Sequence, residues 1–120
     1  MLLVHHDEVS FAQRPEQERY GMLQESVQLA KRLHAHGQYL NAAPLHPTVE
    51  TTCVRVRDGK RLVTEGPFAE TREQIGGYFL VEAKNLDEAI EIAAQIPGAR
   101  IGTVEVRLVT EVSGLPETSR

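Results

Sequence analysis

The chain has 120 residues, 41% hydrophobic and 25% charged, with 17 acids against 13 bases and a net charge of −4. This is one domain of ordinary globular mixture, which excludes disorder, collagen-like repeats and low complexity, and its acidity argues against a general nucleic-acid binder. No apolar run approaches the roughly 20 residues that cross a bilayer, residues 1–6 are too short for a signal peptide, and a single cysteine fits a reducing cytoplasm, so a cytoplasmic protein is expected.

In chain order, Met1-Leu2-Leu3-Val4 opens a buried strand, clipped relative to the usual length of about 5–6 residues. Residues 15–36 carry a helical pattern. Pro15 suits the first helical position, Glu16 and Glu18 favour the positive end of the helix dipole, and Gly37 suits the stop. Tyr20, Leu23, Val27, Ala30 and Leu33 recur at helical spacing, widened by Met22 and Leu29, so one stripe faces a core. Residues 38–45 read as a second strand ended by Pro44 and Pro47. Next, Thr51 to Arg57 and Lys60 to Thr64 flank Asp58-Gly59, a pair that tolerates the positive φ of a two-residue hairpin turn. That register sets Val54 opposite Val63 and Arg55 opposite Leu62, giving a ribbon expected to be half buried.

Residues 65–77 read as a loop punctuated by Gly66-Pro67 and Gly76-Gly77, and Tyr78-Phe79-Leu80-Val81 as a central strand. Asn85 and Glu88 start a second helix in which Leu86, Ala89, Ile90, Ala93 and Ile96 face the core, and Pro97-Gly98 stops it. Residues 103–110 alternate as a last strand, leaving 1–112 as the domain and 113–120 as a polar tail. Setting the hairpin aside, the order is the ferredoxin-like βαββαβ arrangement, an α+β fold with an antiparallel sheet and both helices on one face. The apolar groups of the other face require cover, which a second copy of the chain supplies; a homodimer is expected.

Thr52 to Gly59, then Thr64-Glu65-Gly66-Pro67-Phe68-Ala69-Glu70-Thr71-Arg72-Glu73-Gln74-Ile75-Gly76-Gly77-Tyr78, resemble the DGPF-domain branch of the YCII-related family. The likeness continues through Leu86-Asp87-Glu88-Ala89 and Pro97-Gly98-Ala99-Arg100 to Thr103-Val104-Glu105-Val106-Arg107. The resemblance implies a small bacterial cytoplasmic protein with a dimeric α/β-barrel fold, of unassigned activity. It also implies association with an extracytoplasmic-function sigma factor as a regulatory alternative. Glu65 stands where the family usually has Asp, and Gln24-Glu25-Ser26 stands where some members carry a helical histidine.

Five histidines raise the question of a metal. His5 and His6 occupy opposite faces of a strand, His34 and His36 are two apart on a helix, and His46 lies in a loop. Without an H-E-x-x-H or C-x-x-C pattern, neither metal nor cofactor is expected. Cys53 reads as a small strand residue with no histidine placed beside it by sequence. Arg55, Arg57, Lys60 and Arg61 lack interleaved aromatics and read as a solvated edge, so no nucleic acid is expected as partner. Gly76-Gly77 precedes a strand, which excludes a phosphate loop at a helix start.

The densest chemistry is in residues 65–72. Crowded carboxylates can act as acids or bases, so Glu70 is the candidate catalytic group. Arg72 and Arg107 are candidate anion anchors, Phe68 an apolar wall, and Glu65 and His46 accompanying ligand contacts. The competing reading is structural, with Arg72 paired to Glu70 or Glu73 and Phe68 plugging the core. Function then divides into a small-molecule enzyme or binder with a cleft between sheet and helices, a regulatory interaction module, and a DNA-binding ribbon disfavoured by charge.

Overall fold

Alternation along the first strand decides the layering. In the computed structural model, which describes residues 1–116, the elements run β1 (Leu2–His6), α1 (Glu8–Ala12), α2 (Glu16–Ala35), β2 (Tyr39–Pro44), β3 (Thr52–Arg57), β4 (Lys60–Glu65), β5 (Gln74–Val81), α3 (Leu86–Ala94) and β6 (Thr103–Val106). Single 3₁₀ turns lie at Thr48–Glu50 and Pro97–Arg100. Leu2 and Val4 point inward and are buried, so Leu3 and His5 take the opposite face. The sheet order is β2-β5-β1-β6 with every neighbour antiparallel. Each helix-linked pair of strands is separated by one intervening strand, which is the ferredoxin-like split βαβ.

Both long helices pack on the same face. Leu29 and Leu33 of α2 and Ile92 and Ala93 of α3 join Leu2, Val4, Phe79 and Ile96 in one buried cluster. Among the described residues, no helix is long and apolar enough to cross a membrane.

Local chemistry sets the element ends. The α2 helix stops at Gly37, whose φ of +70° an L side chain resists. The Gln38 amide donates back to the Leu33 carbonyl at 2.8 Å and that of Gly37 to His34 at 3.1 Å, the Schellman arrangement. Pro15 lies just before the first turn rather than in it. Asn85 caps α3 by accepting from the Glu88 amide at 2.9 Å. The ribbon of β3 and β4 turns at Asp58 (φ +52°) and Gly59 (φ +73°), with Val54 opposite Val63 and Arg55 opposite Leu62.

Several expectations are corrected. Residues 8–12, assigned no element from sequence, form α1, too short for helical periodicity to signal; its start is marked by Asp7, whose carboxylate accepts from the Val9 and Ser10 amides. Strand β5 begins at Gln74, so Gly76-Gly77 lie inside it and the loop ends earlier. Strand β6 ends at Val106, leaving Arg107 beyond it. The stripe on α2 is only partly core. Leu29 and Leu33 are buried, whereas Leu23 is 46% exposed and Tyr20 63%. On α3, Ile92 is buried while Leu86 and Ile90 are exposed. The ribbon is not half buried either, because all of β4 and most of β3 are exposed in the single chain. Of the tail at 113–120, residues 117–120 lie outside the described residues.

Candidate functional site

The half-used stripe on α2 has a structural consequence. Leu29 and Leu33 close the core beneath α2, whereas Tyr20, Leu23 and Val27 of the same stripe stay exposed. A cleft of about 820 Å³ opens there between α2, α1 and the inner face of β1, β2 and β5. Most of its wall is apolar, including Phe11, Met22, Val27, Ala42 and Phe79. Clefts of this size and composition accommodate small organic molecules.

His6 is the central polar group of the wall. A register shift between Val4 and His5 leaves Gly76 without a partner on β1, since Val4 faces Gly77 and His5 faces Ile75. The imidazole fills the space over that glycine, where a Cβ would lie 2.1 Å from His6 Cε1. On its other side is Phe11, with ring centroids 4.7 Å apart. Burial pushes the imidazole below its ordinary value, against the opposing pull of Glu8, Glu73 and Asp7. His6 is therefore neutral near pH 7. No side-chain nitrogen sealed from solvent lacks a partner among the described residues, so the nitrogens of His6, which make no hydrogen bond, retain some exposure to solvent. A neutral imidazole in that setting can take up a proton at its bare nitrogen and hand it on from the imidazolium so formed.

Two further cleft residues are held by the chain itself. Glu8 accepts from the Thr48 amide at 2.9 Å through Oε1 and from the Thr48 hydroxyl at 2.7 Å through Oε2. Its amide donates to Gln74 Oε1 at 3.0 Å, tying α1 to the start of β5. Arg19 donates from Nε to the Arg14 carbonyl at 3.1 Å, which directs the rest of its guanidinium. Ser26, Lys31 and His34 of α2 also line the cleft.

The residues nominated from sequence lie elsewhere, and none of the six lines this cleft. Glu65, Glu70 and Arg72 are exposed, and Phe68 is 80% exposed rather than plugging a core. His46 pairs with Glu50 at 3.1 Å. Arg107 is bound by Glu105, not by Glu65 or Glu70, and His5 Nε2 donates to the same carboxylate at 3.0 Å. Those contacts, Arg107 first, hold the Glu105 carboxyl below its usual range. The loop is anchored at its ends. Cys53 Sγ donates to the Gly66 carbonyl at 3.2 Å, and Thr103 donates to Glu73 at 3.1 Å. Arg72 forms no ion pair with Glu70 or Glu73.

Sequence reasoning passed over His6, Glu8 and Arg19. The usable signals were Asp7 as a cap, which brings Glu8 into a helical first turn, and the doubled glycine, which leaves room for a ring on a neighbouring strand.

Comparison with known proteins adds two matches. The family described as the YCII-related domain matches residues 1–113. An uncharacterized protein of Rhizobium meliloti (strain 1021) is 35% identical over 109 residues, covering 88% of this chain and 87% of that relative.

Proposed function

The chain belongs to the YCII-related family, and on that premise we propose that it binds or transforms a small, largely apolar molecule in the cleft between sheet and α2, with His6 as the proton-handling group. The observation that carries this reading is the cleft itself: about 820 Å³ of apolar-walled space with an unbonded, neutral histidine in its wall. Within the family, the Glu65-Gly66-Pro67-Phe68 motif supports placement in the DGPF branch.

The test is a thermal-shift panel of small aromatic and aliphatic compounds against wild type and Ser26→Trp. The larger ring fills the cleft from α2 without removing a hydrogen bond. A ligand at ten times its Kd adds about 1.4 kcal/mol, enough to raise the wild-type melting temperature by several degrees. The variant, folded and melting near wild type, is expected to lose that shift. A panel with no shift, or one equal in both proteins, overturns the reading.

The functional unit in this proposal is a homodimer joined through the outer sheet faces. Leu3, Tyr78 and Leu80 give that face an apolar centre that is only half covered in the single chain. The ribbon leaves Val54, Val56, Leu62 and Val63 exposed. The radius of gyration is 16.3 Å, against roughly 13–14 Å for a compact domain of this length, as a projecting ribbon requires. The exposed loop bearing Glu65, Phe68, Glu70 and Arg72 belongs, on this reading, to the partner-facing periphery. Sedimentation is expected to report twice the 13.4 kDa of one chain; a single-chain mass at micromolar concentration overturns the dimer.

A further inference from the structure

The cleft reverses the charge balance of the chain. Acids outnumber bases 17 to 13 in the sequence, yet the cleft wall carries the cations Arg19 and Lys31 against one carboxylate, Glu8. Both oxygens of Glu8 are already engaged by Thr48. Arg19 makes no ion pair among the described residues, and its Nε is committed to the Arg14 carbonyl, which leaves the two terminal nitrogens for another acceptor. From Arg19 the apolar side chains of Met22, Leu23, Val27 and Ala30 continue along α2. Lys31 follows about 18 Å further along the helix axis, too far to share one small anionic group with Arg19.

We infer that the molecule taken by this cleft is a monocarboxylic acid with an apolar body, its carboxylate on the guanidinium of Arg19 and its body against α2. This rests on the cleft reading above and specifies its ligand class. A guanidinium pinned at Nε offers two parallel donors, which match the two oxygens of a carboxylate and form charge-assisted bonds stronger than neutral ones. A phosphate would direct its third oxygen at the apolar wall, where burying an unpaired charge is costly. A cationic ligand would meet Arg19 and find the one carboxylate occupied. Neutral His6 adds no repulsion and can hydrogen-bond the ligand.

The experiment compares matched acid and primary-amide pairs, 2-naphthoate with 2-naphthamide and octanoate with octanamide, by calorimetric titration. Wild type is expected to bind at least one acid about tenfold or more tightly than its amide, in line with a charge-assisted pair. Arg19→Gln is expected to bring that acid down to the level of the amide while amide affinity stays unchanged. Arg19→Lys retains part of the preference, because it keeps the charge and loses the second donor, and it serves equally if Arg19→Gln does not fold. Lys31→Gln keeps the preference. Equal binding of acid and amide by wild type, or a preference that survives Arg19→Gln, overturns the inference and leaves the cleft reading standing. Loss of the preference in Lys31→Gln overturns the assignment to Arg19. Binding of no member of either pair overturns the inference, and the compound panel with Ser26→Trp then decides the cleft reading separately.

Discussion

Gly102→Ala is expected to destabilise the protein by about 2–4 kcal/mol, on the scale of overpacked, strained sites. A Cβ at this position would lie 2.0 Å from the His5 carbonyl oxygen, 3.0 Å from His6 Cα and 3.1 Å from the His5 carbonyl carbon. All three are backbone atoms of β1, so no rotamer change relieves the collision. The segment entering β6 must move away from β1, which disturbs the ladder that pairs His5 with Thr103 and Val4 with Val104. By contrast, a Cβ on Gly98 meets Val4 Cγ1 at 2.4 Å, a side-chain atom that can partly turn aside. Gly21→Ala is the internal control. Gly21 lies within α2 with nothing near its missing Cβ, and alanine there is expected to add about 0.5–1 kcal/mol. Urea unfolding of the three proteins measures both changes. A Gly102→Ala midpoint equal to wild type contradicts the close approach.

The second large effect separates two leucines that sequence places on one stripe. Leu29→Ala is expected to cost about 2–5 kcal/mol, the range for truncating a fully buried leucine whose site collapses only in part. Leu29 is 1% exposed and, with Leu33, is one of two buried residues in a helix of 20. Leu23→Ala, at 46% exposure beside the cleft, is expected to cost under about 1 kcal/mol, because most of its surface change occurs in contact with solvent. Equal losses at the two positions in urea unfolding would mean that α2 packs along its whole length and that the cleft is closed in solution.

That pair of leucines shows where sequence reading reached and where it stopped. Periodicity identified α2 and its apolar side, and the stop at Gly37 followed from the one residue type that accepts a left-handed φ without strain. Asn85 marked the start of α3 for a similarly local reason, since its side chain reaches an amide three residues away. The order of strands and helices implied the ferredoxin-like α+β arrangement, because short connections and two crossover helices leave few other ways to build an antiparallel sheet. The candidate site was less legible. Residues 65–72 are rich in charge, and charge density is a local property, but Glu65, Glu70 and Arg72 stay exposed, while His46 is bound by Glu50 and Arg107 by Glu105.

What sequence by itself determined are features whose causes act within a few residues: caps, stops, the turn at Asp58-Gly59, and which side of each element is apolar. What only the tertiary structure decided is how far each apolar side is used. Leu29 and Leu33 of α2 are buried in the core, while Leu23 on the same stripe borders the cleft and stays 46% exposed, a difference that depends on what each meets across the fold and not on the helix alone. Of the cleft's polar groups, His6 and Glu8 are aligned by Gly76 and Thr48 from remote parts of the chain, and Arg19 by the nearby Arg14 carbonyl. Burial and unsatisfied donors belong to the packed arrangement of separate elements, so neither is readable from the spacing of residues within one.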